Sequence, residues 1–160
     1  GYIAHACGFL LETTAVLCPG LPSAGKSTLA RLLGSSGAGV YRLSDDRIAL
    51  TREASGFRAW GTPWPGDERV IGAGDGPLGA IVLLRHAAST SLTEVSRRLA
   101  ARRVMETLVL PLWDRTLLPG ALEYVDRLID AIPVLELAYP PTVEAARWFV
   151  RELERRGLDG

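Results

Sequence analysis

Apolar positions in the first third of the chain come in short runs, too short for helices. Residues 3–11 read as an extended segment with a break near Gly8, and Thr14-Ala15-Val16-Leu17-Cys18 as a second strand. The period then changes: Leu29, Leu32 and Leu33 share one face of a helix that begins at Ser27 and stops in Gly34-Ser35-Ser36-Gly37-Ala38-Gly39. Residues 40–43 form a short strand ending in Ser44-Asp45-Asp46, and residues 47–52 and 56–60 form two strands about an Ala54-Ser55-Gly56 turn. Residues 61–79 are rich in Pro and Gly and too poor in apolar residues for an element, which marks a lid or substrate loop.

The continuous apolar run 80–84 predicts a buried strand, and residues 93–105 a helix capped by Ser91 or Thr93 with Arg97, Arg98 and Arg102 on a basic face. Leu122, Val125, Leu128, Ile129 and Ile132 stand at helical spacing within residues 118–132, and residues 134–139 are strand-like. A last helix over residues 142–156 would bury Val143, Ala146, Phe149, Val150 and Leu153. Strands and helices mix while the early strands come as a run. The pattern therefore predicts a single α/β domain, residues 1–160, with a mixed sheet flanked by helices and no internal repeat.

Composition narrows the function classes. Acidic and basic side chains balance at 18 each, so bulk charge makes no case for nucleic acid or an anionic membrane as partner. No apolar stretch has the length of a membrane span. The apolar N-terminus lacks a basic flank and is interrupted by Glu12, so it does not read as a signal peptide. The chain starts without Met, as a cleaved product or an excised catalytic domain would. Cys7 and Cys18 lie in apolar strands with no second pair nearby, as buried free thiols in a reducing cytoplasm do. There is no Asn and no Gln, which removes the Asn-Lys-x-Asp base reader and the water-orienting Gln of Ras-type GTPases.

The chemistry gathers at Gly20-Leu21-Pro22-Ser23-Ala24-Gly25-Lys26-Ser27, followed by Thr28. It fits G-x-x-x-x-G-K-[ST] and stands between a strand and a helix, where backbone N–H groups opened by glycines meet the positive end of a helix dipole. Such a cradle suits a nucleotide β-phosphate, with Lys26 reaching the β- and γ-phosphates and the Ser27 hydroxyl ligating Mg²⁺. Lys26 is the only lysine among 18 basic side chains, which sets the position apart from chance. Asp45 and Asp46 follow about twenty residues later at a strand end. From there both carboxylates would reach the γ-phosphate, one as base and one at the metal. An isolated Asp-Asp pair is otherwise a turn or cap.

Other residues carry competing readings. His5 on an apolar strand suits a satisfied core position, and His86 suits a cap as well as a site. Trp60, Trp64, Trp113 and Trp148 are expected mostly in the core, with Trp64 between two prolines able to meet nucleotide or peptide. The cluster Arg97, Arg98, Arg102 and Arg103 reads as a solvated face, or as a dock for an acidic acceptor, with Glu94 and Arg98 forming an i,i+4 pair.

His5, fifteen residues before Gly20, then the glycine loop, then Ser44-Asp45-Asp46-Arg47, resembles the catalytic domain of HPr kinase/phosphorylase, which has the phosphoenolpyruvate carboxykinase-like P-loop fold. Gly61-Thr62-Pro63-Trp64-Pro65-Gly66-Asp67 and Leu110-Pro111-Leu112-Trp113-Asp114 look more like the HPr-kinase-related proteins, among them a relative that phosphorylates a serine of a lasso-peptide precursor. The resemblance implies an ATP- and Mg²⁺-dependent kinase acting on a serine of a peptide or small protein, and allows homo-oligomers. It implies Asp45 as general base, Asp46 as the acid near the metal, Ser27 as the Mg²⁺-binding hydroxyl and His5 beside the transferred phosphate. Asp67 or Glu68 would stand for the family's downstream metal-site Glu. Thr28 stands where the family has Glu, and its later Gly-rich signature is not found.

Three rivals share parts of this reading. A small-metabolite kinase would differ only in its acceptor pocket. A non-catalytic nucleotide-binding regulatory module would have no use for an intact Asp45-Asp46 pair. A carboxykinase acting on a 2-oxo acid would need further lysines.

Overall fold

The computed structural model describes residues 1–110 and 114–158, so Pro111, Leu112 and Trp113 of the later motif lie outside the described residues. Strands β1 (Tyr2–Leu11) and β2 (Thr14–Pro19) form an antiparallel hairpin turned at Glu12, whose φ is 53°. Helix α1 (Lys26–Ser36) follows, then β3 (Tyr41–Ser44), β4 (Arg47–Glu53), β5 (Gly56–Gly61), β6 (Asp75–His86) and β7 (Ser91–Glu94). Helices α2 (Arg97–Met105) and α3 (Leu118–Ala131), strand β8 (Val134–Tyr139) and helix α4 (Val143–Arg155) complete the chain. The result is an α/β protein with a mixed eight-stranded sheet and four helices among the described residues.

Strand pairing makes the sheet curl back on itself. β1 pairs with β4, β4 with β5, β5 with β6, β6 with β2 and β2 again with β1, a closed circuit in which only β2 and β6 run parallel. β8 extends the parallel part beside β6, and β7 closes its edge antiparallel. Because side chains alternate along a strand, the two faces carry separate cores. Phe9, Val16, Cys18, Val82, Leu137 and Tyr139 pack under α1 and α4. Ala6, Leu17, Ile48, Leu50 and Ile81 pack on the other face with Val104 of α2 and Tyr124 and Leu128 of α3. Phe149 of α4 is fully buried, edge-on to Phe9 at 6.0 Å; truncating such a residue costs about 3–5 kcal/mol.

Several sequence expectations change. β1 is not broken at Gly8. It is continuous and exchanges partners there, pairing with β4 over residues 2–5 and with β3 over residues 8–10. A Cβ at Gly8 would press on the Ile48 side chain, at 2.8 Å from its Cδ1. Helix α1 runs past Leu33 to Ser36 and stops inside the expected glycine stretch, at Gly37, whose φ of 68° ends it. Gly34 is a notch: a Cβ there would meet the Arg42 guanidinium at 2.8 Å, and Arg42 Nη1 donates to Ala30 O.

The helix expected from residue 93 begins only at Arg97, capped by Ser96, whose hydroxyl accepts from Leu99 N at 3.3 Å. Ser91–Glu94 is instead an edge strand that buries Leu92. That placement excludes the helical Glu94–Arg98 pair, and Arg97 turns to Asp126 and Asp130 of α3. The loop expected over 61–79 ends early, since residues 75–77 pair with β5 and Leu78 with β2. Trp60 and Trp64 are not core residues, being 37% and 48% exposed. Among the described residues no helix is long and apolar enough to cross a membrane.

Candidate functional site

The parallel strands β2, β6 and β8 end on one edge, and the glycine loop leaves β2 at that edge. Carboxyl ends of parallel strands are where α/β sheets open a crevice for ligands. The loop holds two residues in the left-handed region, Ser23 at φ 68° and Gly25 at φ 99°, the local geometry that turns successive N–H groups inward. Helix α1 begins at Lys26 with no side-chain cap and no acidic residue in its first turn. Its first N–H groups are therefore left for an external acceptor. Gly20 is required by space, because a Cβ there would lie 2.6 Å from Ala24 Cβ.

Lys26 is buried, and its ammonium folds back on the loop, donating to Gly20 O at 2.8 Å and Leu21 O at 3.2 Å. Leu21, Pro22 and Ser23 are exposed, while Ala24, Gly25, Ser27 and Thr28 are half-buried. Three backbone bonds fix His5 beside this loop. Gly20 N donates to His5 O at 3.1 Å, His5 N to Thr107 O at 2.8 Å, and Ala6 N to Asp46 O at 2.9 Å. Consequently His5 Nδ1 lies 3.7 Å from Asp46 Oδ1, and Arg47 Nε lies 3.6 Å from Asp46 Oδ2. The His5 side chain is 41% exposed, so it is not a satisfied core histidine.

Asp45 and Asp46, adjacent in sequence, meet opposite surroundings. Asp45 is fully buried. Its Oδ1 accepts from Gly66 N at 3.0 Å and Val70 N at 3.1 Å, and its Oδ2 from Glu68 N at 2.7 Å. A carboxylate enclosed in this way clamps the 61–74 loop and presents nothing to a substrate. The general-base role expected for Asp45 therefore has no geometric support here, since its oxygens are taken up by the loop N–H groups. The open carboxylate is Asp46, 30% exposed beside His5.

Asp67 is exposed in the loop, and the contact that joins this loop to α1 runs through Glu68, whose Oε1 lies 3.5 Å from Arg31 Nε. Gly66 must lack a side chain, since its Cβ would sit 2.6 Å from Asp45 Oδ2 and 2.8 Å from Asp46 Cβ. Among the described residues no three His, Cys, Asp or Glu side chains are grouped to hold a metal ion. Of the expected oxygen donors, Ser27 stands on the first turn of α1, and Asp46 and Asp67 are both open to solvent, Asp67 next to Gly66, which packs on Asp46.

Sequence reasoning missed Tyr139 and left His86 undecided. Tyr139, fully buried at the end of β8, donates its hydroxyl to Gly25 O at 3.3 Å. Burial, with the neighbouring Cys7 and Cys18 thiols, pushes this phenol up, so it serves as a neutral donor. Cys18 faces Cys7 across the hairpin; its hydrogen bond with Cys7 and its burial raise its pKa, which keeps it an unreactive thiol. The signal that could have found Tyr139 is its place at the end of a strand parallel to β6.

No protein-family model matches the chain, and no curated protein matches it. Among solved structures it is similar to the Hpr(Ser) kinase/phosphatase from Coxiella burnetii, with a TM-score of 0.44 and 15% identity over 98% of this chain and 100% of that one. At that level of likeness the site residues stand on their own geometry.

Proposed function

We propose that this chain is a single-domain, cytoplasmic kinase that uses ATP and Mg²⁺ to phosphorylate a serine hydroxyl of a peptide or small protein. The observation that carries the reading is the union of an uncapped phosphate loop with an open His5–Asp46 pair, joined by the Gly20 N–His5 O bond. Phosphoryl transfer needs positioning and charge neutralisation more than covalent chemistry, and this corner supplies both. The choice of serine, and of a peptide or protein as its bearer, rests on the resemblance of His5, the glycine loop and the Ser44–Arg47 segment to HPr-kinase-related proteins.

In this reading the loop N–H groups hold the β-phosphate and Lys26 exchanges its loop carbonyls for phosphate oxygens. Ser27 and Asp46 would hold Mg²⁺, which when bound neutralises charge on the phosphate oxygens. The acceptor oxygen bonds to the γ-phosphorus, the bond to the bridging oxygen breaks, and the hydroxyl proton passes to His5, which Asp46 orients. Asp45 acts through the loop it clamps and takes no proton.

Intact-mass spectrometry with Mg-ATP tests this on a peptide with a terminal serine and on an HPr-like protein. A single phosphate adduct, absent with Lys26→Ala and Asp46→Asn, is the expected result. ATP binding without an adduct and without ADP would overturn the kinase reading in favour of a regulatory module.

A further inference from the structure

We propose that His86 is a third wall of the phosphate cradle, an imidazole whose N–H donates to a phosphate oxygen of the bound nucleotide. The inference rests on the nucleotide reading of the glycine loop and adds a residue that the motif does not contain.

The placement follows from the sheet. β6 is the strand beside and parallel to β2, through Val16–Ala80 and Leu17–Ile81 pairing, so its carboxyl end opens where the loop begins. P-loop proteins of the NTPase type commonly end such a strand in an acid that serves Mg²⁺. Here β6 ends in Leu83-Leu84-Arg85-His86, with no carboxylate. Strand alternation puts His86 on the face of Ala80, Val82 and Leu84, which α1 covers, and Arg85 on the opposite face, where Nε is bound to Glu136 Oε1 at 2.7 Å. His86 is thus the polar group that β6 delivers to the loop.

Its ring is held in place from below. It stacks on Tyr139 with centroids 6.0 Å apart and planes 25° apart, while Tyr139 is bound to Gly25 O. The ring atoms Cε1 and Nε2 both lie 3.5 Å from where a Cβ on Gly25 would stand. Gly25 precedes Lys26, so the imidazole lies beside the residue that opens α1, while its own side chain is exposed. A nucleotide phosphate presents several acceptor oxygens to the loop N–H groups and Lys26, and a side-chain N–H at this position adds one more donor to that set. The Tyr139–Gly25 bond and the stack of His86 on Tyr139 hold the ring at this place beside the loop.

The test is calorimetric titration of ADP into the wild-type chain and into His86→Ala, His86→Gln, His86→Phe and Lys26→Ala, each with its thermal midpoint. Gln carries an N–H donor near the Nε2 position, and Phe preserves the stack on Tyr139 without a donor. The expected result is affinity weakened about 10–100-fold by Ala and Phe and restored to within about threefold by Gln, the range of one hydrogen bond to a charged partner. Affinity retained by Phe and lost by Gln would make His86 a stacking platform and overturn the proposal. Equal loss in all three His86 variants would assign it a purely structural part and also overturn it. If Lys26→Ala loses ADP while every His86 variant matches wild type, the nucleotide site stands and His86 is no part of it. A folded wild-type chain that does not bind ADP overturns the nucleotide reading and His86 with it.

Discussion

Two loops lie beside each other at the sheet edge and use their backbone N–H groups in opposite ways. The 61–74 loop commits Gly66, Glu68 and Val70 N–H to an internal anion, the Asp45 carboxylate. The 20–25 loop has no such partner: no side chain caps α1, and no acid stands in its first turn. Backbone donors near a buried site need an acceptor wherever it comes from. A loop that carries its own anion is finished as folded, whereas the 20–25 loop leaves the first N–H groups of α1 without a side-chain acceptor, which is what the proposed nucleotide site uses. The difference separates scaffold from site more sharply than residue type does, because Asp45 and Asp46 are chemically identical and adjacent.

Removing the internal anion should have the largest effect. Asp45→Ala leaves three inward N–H groups without acceptors, at about 1 kcal/mol or more each, so a loss of about 3–5 kcal/mol is expected. For a chain of this size that lowers Tm by about 10 °C. Asp45→Asn should cost less, since its oxygen can still accept from Gly66 and Val70 while its amide opposes Glu68 N–H. Thermal denaturation ranks the three proteins, and an Ala variant as stable as wild type would refute the clamp.

Asp46→Asn tests the other half of the pair. With the carboxylate open to solvent, stability should hardly change, while turnover with Mg-ATP and acceptor falls about 10²–10³-fold. The contrary outcome is informative as well. Turnover lost in Asp45→Asn at unchanged Tm, with Asp46→Asn active, would return the base to Asp45.

Gly25→Ala should damage the open loop more gently. Its φ of 99° is strained for any residue with a Cβ, and that Cβ would stand 3.1 Å from Tyr139 Oη. The cost is about 1–2 kcal/mol, visible as a lower Tm together with weaker ADP binding. A variant that binds ADP as wild type does would show that the cradle tolerates what the geometry forbids.

Much of this was legible in the sequence, for reasons that are local. The β4–β5 hairpin, α3, β8 and α4 follow from periodicity, a Gly56 turn and the Thr142 cap, whose hydroxyl accepts from Ala145 N. The glycine loop carries its own context in a dozen residues. What escaped depends on distant partners. Gly34 lies inside α1, and the Arg42 guanidinium that packs against it comes from β3. The strand at Ser91–Glu94 exists because β8 offers an edge. Asp45 looks equivalent to Asp46 because the N–H groups that enclose it come from 21 to 25 residues further on, in a stretch with no periodicity. His86 and Tyr139 meet only through parallel pairing across more than fifty residues.

The smallest expected effect belongs to the one ion pair that ties the two loops' neighbourhoods together. Glu68 Oε1 and Arg31 Nε are 3.5 Å apart and partly exposed, at 30% and 56%. Exposed pairs of this kind contribute about 0–1 kcal/mol and are screened by salt. Glu68→Gln should therefore leave Tm within about 4 °C of wild type, because Glu68 N still donates to Asp45 through the backbone. If the 61–74 loop is fastened by Asp45 alone, Glu68→Gln and wild type will show the same amide hydrogen exchange at residues 66–70. If protection falls there in Glu68→Gln and also in wild type at high salt, the side-chain pair shares the fastening, and the loop is less independent of α1 than its backbone bonds imply.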